Sequence, residues 1–150
     1  MMSSAKRSSS ENLYLDTSAY LAILLGDSLS DKIQAALEKR SIVSSIILLI
    51  ETERNLLRLY REKLLTLKVY EKAMNQLRLD IEGMTLRNVT PDLCLTGSFP
   101  AARTPRSNDL IHIRTALWFQ KSGGIVDFIS LDREQLSAAR EVGVPGNWVY

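Results

Sequence analysis

The chain turns on Leu13-Tyr14-Leu15-Asp16-Thr17-Ser18, a short apolar run that ends on a carboxylate and passes into hydroxyl residues. The run is too short for a helix and too apolar for a surface loop, and an apolar segment of helical character, 19–25, follows at once. This reads as a buried strand that delivers Asp16 to its own C-terminal edge before the chain turns into a helix. In open parallel α/β sheets that edge is where ligands bind. An acid at a strand end also caps the next helix, so Asp16 alone does not decide between the two roles.

The arrangement recurs along the chain. A first strand is expected over 12–15 and a first helix over 17–25, stopped by Gly26. Ser30 is placed to cap a second helix, 31–40, with Ile33, Ala36 and Leu37 on one face. Ser41-Ile42-Val43-Ser44 is a β-branched strand, and a long helix over 45–63 carries the stripe Ile46, Leu49, Ile50, Leu56, Leu57 and Tyr60. A helix over 66–79 packs back on it as a hairpin. An edge strand is expected over 84–89, and Thr90-Pro91-Asp92 signals a helix start with proline at the first helical position. The stretch 97–106, with Pro100, Pro105 and two arginines, reads as a flexible loop at the mouth of a site. Ser107 or Asn108 caps a helix over 109–121, and a strand (125–131), a helix (132–142) and a last short strand (148–150) complete the order. Strands that alternate with helices throughout call for a largely parallel sheet with right-handed crossovers.

Length suits one domain, 12–150, preceded by a Ser-rich tail over 1–11. Cys94 is the only cysteine, which excludes a disulfide framework and a Cys-based zinc site and suits a reducing, cytoplasmic setting. The run 46–50 is far too short to cross a bilayer and meets charged residues at once, so no membrane role is expected. A net charge of +2 permits nucleic-acid binding without arguing for it.

Asp16, Glu51, Asp109 and Asp132 each fall near a strand's C-terminal end or in the early turns of the following helix. In a parallel sheet all such points share one edge, so acids a hundred residues apart in sequence meet there. Four neighbouring carboxylates repel, and a fold keeps them when a cation offsets the charge or some stay protonated. Oxygen donors without His or Cys suit hard cations, Mg²⁺ or Mn²⁺. Taken singly, each acid is also explained by capping or by complementing a helix dipole.

Leu15-Asp16-Thr17-Ser18, Ser45 with Glu51 six positions on, the segment from Arg106-Ser107-Asn108-Asp109 to Leu110-Ile111-His112, and Phe128-Ile129-Ser130-Leu131-Asp132-Arg133 resemble the four acidic motifs of PIN domains. The likeness covers nearly the whole chain after the tail, in the family's order and spacing. Within the family it is nearest to the VapC toxin ribonucleases of bacterial and archaeal VapBC toxin–antitoxin modules. The resemblance implies a three-layer α/β/α sandwich around a mainly parallel sheet of four or five strands. It implies that Asp16, Glu51, Asp109 and Asp132 hold Mg²⁺ or Mn²⁺ and cut single-stranded RNA, leaving 5′-phosphate and 3′-hydroxyl ends, with Ser130 as the supporting hydroxyl residue. It implies a small antitoxin partner as well. Leu110 departs from the pattern, standing where a small residue is commoner.

Arg54, Arg58 and Arg61 follow Glu51 at helical spacing, a stripe suited to guiding a phosphate backbone. Arg58 and Glu62 are equally spaced for an ion pair on a solvated face. His112, the only histidine, follows Asp109 by three residues and is read as packing or hydrogen bonding rather than catalysis. Leu24, Leu25, Leu29, Leu67 and Val69 are more apolar surface than solvation needs, which suits a partner, a homodimer face or the core. The main rival is a catalytically silent PIN-type module that binds RNA or protein. A phosphotransfer receiver would want further acids near Asp16 and a late lysine, and no lysine follows Leu131. A metal-dependent DNA nuclease would use the same residues.

Overall fold

Residues 12–27, 30–38, 40–124 and 126–148 are those that this computed structural model describes. In chain order they form β1 (Asn12–Leu15), α1 (Thr17–Leu25), α2 (Ser30–Leu37), β2 (Ser41–Ser45), α3 (Ile47–Arg61) and α4 (Leu67–Ile81). Then come β3 (Met84–Arg87), α5 (Pro91–Cys94), α6 (Ser107–Gly123), β4 (Val126–Ser130), α7 (Arg133–Glu141) and β5 (Gly146–Trp148). The strands make one five-stranded sheet in the order β3-β2-β1-β4-β5, and every pairing is parallel.

β1 lies in the middle, and its alternation explains why Leu13, Tyr14 and Leu15 are all apolar and buried. Leu13 and Leu15 enter one cluster with Tyr20, Ile33, Leu48 and Leu77, from α1 to α4. Tyr14 enters the other with Val43, Ile113, Leu117, Phe128 and Leu136, under α6 and α7. Helices thus cover both faces, giving the expected three-layer α/β/α sandwich. The register sets Tyr14 beside Phe128, and their rings stack in parallel at 5.0 Å.

The chain leaves β1 toward β2 and β3, then crosses back to β4 and β5 on the other side. Strand order therefore reverses between β1 and β4, which opens a crevice at their C-terminal ends. The Asp16 N–H still donates to the Ile129 carbonyl at 3.2 Å, and Ser44 Oγ donates to the Leu15 carbonyl at 2.7 Å. Three strand ends are thereby fixed around the residues that follow them.

Element boundaries differ from expectation for local reasons. α2 stops at Leu37, and Arg40 instead pairs with Asp127 of β4 at 2.8 Å. Ser30 is the first helical residue, not the cap, and its hydroxyl accepts from Gln34 at 2.9 Å. β2 runs to Ser45 and α3 starts only at Ile47, because the Ile46 N–H still bonds the Arg87 carbonyl at 2.9 Å. Thr66 caps α4, which extends to Ile81. α6 begins two residues earlier than expected, with Arg106 at its cap and no capping side chain, so neither Ser107 nor Asn108 caps it. β3 does lie at the sheet edge but ends at Arg87. The expected tail over 1–11, Leu29, Ile125, Val149 and Tyr150 lie outside the described residues.

The loop before α6 is anchored at Phe99, which packs with Ala102 against the core. Arg114 and Lys121 of α6 stand 5.7 and 5.3 Å from its ring. On the opposite face Leu24, Leu25, Leu37, Val69, Ala73 and Met84 help line an open groove of about 750 Å³. Leu67 and Val69 are exposed, whereas Leu24 and Leu25 are half-buried. No described helix is long and apolar enough to cross a membrane.

Candidate functional site

A cleft of about 530 Å³ opens at the reversal between β1 and β4, and Asp16, Glu51, Asp109 and Asp132 all line it. Thr17, Ser18, Arg54, Asn108 and His112 line it too. Each acid arrives on a different element. Asp16 follows β1 and is the N-cap of α1, its carboxylate accepting from the Ala19 N–H at 3.1 Å. Asp132 follows β4 and caps α7, accepting from the N–H groups of Glu134 and Gln135 at 2.9 and 3.4 Å. Glu51 comes from the second turn of α3, and Asp109 from the first turn of α6. Capping and cleft lining are thus not alternatives for Asp16 and Asp132; one side chain does both.

Hydroxyl groups knit the β1 and β4 ends together. Ser130 and Ser18 each donate to a different oxygen of Asp16, Ser18 at 2.7 Å. Ser18 Oγ also accepts from the Leu131 N–H at 3.0 Å, and Ser130 Oγ from the Asp132 N–H at 2.9 Å. Asp16 is buried and meets no basic side chain at hydrogen-bonding distance among the described residues. Burial lifts its carboxyl above the usual range, and Ser130, the attraction of His112, Ser18 and the Ala19 N–H offset only part of that.

Glu51 has other company. Thr17 Oγ1 donates to its Oε1 at 2.7 Å and Asn108 Nδ2 to its Oε2 at 3.3 Å. His112 Nε2 lies 2.7 Å from the same Oε1. Burial pushes the Glu51 carboxyl up, but the hydrogen bond and charge of His112, helped by Thr17 and Asn108, outweigh it and leave the group below its ordinary value. Asp109 is buried and lies 3.4 Å from Nε of Arg106, whose side chain is largely exposed. Gln135 Nε2 of α7 donates to the Asp109 main-chain carbonyl at 3.2 Å. Glu53, two residues beyond Glu51 on α3, is exposed and does not line the cleft.

The arginine stripe divides. Arg54 lines the cleft. Arg58 pairs instead with Glu62 at 3.2 Å, both about half-exposed, which is the solvated-face arrangement. Arg61, at the end of α3, does not line the cleft. Sequence reasoning missed Thr17 and Asn108 as partners of Glu51, and Gln135 as the partner of Asp109. The available signals were Thr17 beside Asp16 and Asn108 beside Asp109.

The sequence pattern of the PIN domain matches residues 13–141. The chain belongs to the PIN domain family. The crystal structure of PAE2754 from Pyrobaculum aerophilum is similar in fold, with a TM-score of 0.50 over 92% of this chain and 84% of that one, at 18% identity. No curated protein matches the chain in sequence. PIN domains are generally nucleases and typically use divalent metals.

The donor set of this PIN domain suits such an ion by its chemistry. All four acids offer oxygen, and the buried charge of Asp16 is met by hydroxyls and one N–H rather than by a cation. The acids share the cleft without closing on one point. Among the described residues no three His, Cys, Asp or Glu side chains stand together closely enough to hold a metal ion. The reason is local: Glu51 is held by His112 and Thr17, Asp109 lies beside Arg106, and Asp132 is turned to the start of its own helix.

Proposed function

We propose that this PIN domain is a Mg²⁺- or Mn²⁺-dependent endoribonuclease of single-stranded RNA, acting as the toxin of a toxin–antitoxin pair. The observation that carries the reading is the cleft itself. Four acids from four elements line it at the switch point of the sheet, around a buried Asp16 that no basic side chain among the described residues meets at hydrogen-bonding distance. Asp16, Glu51, Asp109 and Asp132 would hold the metal. Bound there, the ion supplies Lewis-acid stabilisation of the charge that builds on a phosphodiester as water attacks it.

The remaining work belongs to the chain. Ser130 and Ser18 hold both oxygens of Asp16, so its orientation is set before substrate arrives. Thr17, Asn108 and His112 do the same for Glu51. Arg54 and Arg106 line the cleft and offer positive charge to a phosphate backbone. Arg61 continues that charge along α3 beyond the paired Arg58, so a longer RNA strand gains from it what a dinucleotide does not. The open apolar groove beside α1, α2 and α4 supports a docking face for a small antitoxin or for a second copy of the chain.

One observation favours a silent RNA- or protein-binding module instead: every acid is engaged by protein groups, and no three converge. Incubating the protein with RNA and with single-stranded DNA, each in Mg²⁺, Mn²⁺ or EDTA, separates the readings. Cleavage of RNA that stops in EDTA supports the ribonuclease. Binding without cleavage in either metal supports the silent module, and cleavage of DNA alone replaces the substrate.

A further inference from the structure

We propose that His112 is a positioning residue: gripped by Tyr14, it aims one ring N–H at Glu51 and fixes that carboxylate in the cleft. What Glu51 then does rests on the ribonuclease reading; how it is held rests on geometry. His112 is 2% exposed and sits one helical turn after Asp109, on the same face of α6. Both edges of its ring are engaged. Nε2 lies 2.7 Å from Glu51 Oε1, and Nδ1 lies 2.6 Å from the Tyr14 hydroxyl.

A carboxylate only accepts, so the hydrogen of the Nε2–Glu51 bond sits on Nε2. In the neutral ring Nδ1 is then bare and accepts from the phenol. The neighbouring hydroxyls have other uses. Ser44 donates to the Leu15 carbonyl and Thr115 to the Ile111 carbonyl, each at 2.7 Å. Glu51 thus sets the tautomer, and Tyr14 is the donor left to hold the bare Nδ1. Its own ring is held, stacked on Phe128 at 5.0 Å and set edge-on to His112 at 5.7 Å. The centre of the sheet thereby orients a side chain on α3 through one on α6.

Glu51 is the acid that needs such a holder. Asp16 and Asp132 are short and bonded to main-chain N–H groups of their own helices. Glu51 carries one more rotatable bond, and among the described residues its carboxylate receives no main-chain donor and meets only side chains. His112 is the most buried of its three partners, and Tyr14 ties it to the sheet.

The test compares His112→Gln, whose amide reaches as far as Nε2, with His112→Asn, which reaches only as far as Nδ1. Tyr14→Phe removes the hydroxyl that holds Nδ1. In RNA cleavage below the melting temperature of every variant, His112→Asn is expected to lose about 10–100-fold in kcat with KM little changed. His112→Gln restores a large part of that loss. Nitrogen NMR of the only imidazole in the chain gives a readout that needs no cleavage. In metal-free protein above neutral pH the hydrogen is expected on Nε2, and Tyr14→Phe shifts the Nδ1 signal by removing its hydrogen-bond donor while the hydrogen stays on Nε2. A hydrogen on Nδ1 in the wild type, or His112→Asn cutting RNA at the wild-type rate, overturns the proposal. If the wild type cuts no RNA in either metal, the ribonuclease reading falls, and the imidazole signals still decide how Glu51 is held.

Discussion

Asp16 and Glu51 line one cleft, yet their surroundings move their acidities in opposite directions, Asp16 up and Glu51 down. Burial acts on both. What differs is the kind of donor that answers it. Asp16 receives two serine hydroxyls and one main-chain N–H, which orient it without cancelling its charge. Glu51 receives an imidazole, a hydroxyl and an amide, and the imidazole brings charge as well as a hydrogen bond. Hydrogen bonding can therefore organise a buried acid without neutralising it. The β1–β4 end of the cleft retains the unmet negative charge, and a cation gains most there.

If that contrast is right, the largest effect falls at Asp16. Asp16→Asn should lower kcat on RNA by the order of 10²–10⁴, the range for one group acting in the transition state. Asparagine caps a helix about as well as aspartate, so α1 is retained. Folding checked by circular dichroism separates loss of chemistry from loss of structure. A variant that keeps wild-type cleavage removes Asp16 from the machinery. Ser130→Ala comes next. It leaves Asp16 with one hydroxyl fewer and should cost about 10–100-fold, as for other supports of a ligand residue. An unchanged rate would mean the Ser130 bond organises nothing.

How much of this could be read from the residues follows the same division. Local signals were legible: the apolar run of β1, the stop at Gly26, the cap at Asp16, and an edge strand at β3. They depend on neighbours in sequence. The start of α6 was misread because Ser107 and Asn108 are good capping residues, while the chain turns at Arg106 without a capping side chain. The partners of Glu51 were illegible for another reason. They depend on the fold bringing His112 and Asn108 of α6 to Glu51 of α3 and to Tyr14 of β1, residues far apart in sequence. Sequence spacing places an acid at an edge; it does not say which donors wait there.

Stability against pH sharpens the contrast further, with effects of a few degrees. The folded pKa of Asp16 lies above its ordinary 3.8, so the folded state keeps that proton longer. Its contribution is complete below that value and is lost as pH rises through the raised one. The folded pKa of Glu51 lies below its ordinary 4.5, so its contribution is present above 4.5 and lost as pH falls through the lowered one. In EDTA at pH 7, Asp16→Asn should melt higher than wild type, by about 2–4 °C for each kcal/mol released. Glu51→Gln should melt lower. Melting curves of both variants between pH 3 and 7 check the signs, and equal shifts in the same direction would erase the distinction.

The smallest effects belong to the arginines. Arg54→Glu should weaken RNA binding and flatten its salt dependence by about 0.7 in the log–log slope, one phosphate contact to a single strand. Arg58→Glu should change less, because Arg58 already pairs with Glu62 on the surface. Equal losses at both positions would mean that the whole stripe touches RNA, as its spacing alone suggests.

Thermal melting with and without Mn²⁺, on wild type, Asp16→Asn and Glu51→Gln, tests the cation end of the cleft most directly. A ligand that binds only the folded state raises stability by RT ln(1 + [L]/Kd). Wild type should therefore melt higher as Mn²⁺ is added, Asp16→Asn should lose that gain, and Glu51→Gln should retain part of it. A gain of the same size in Asp16→Asn, or a gain lost in Glu51→Gln alone, would contradict the account and move the cation to the other end of the cleft.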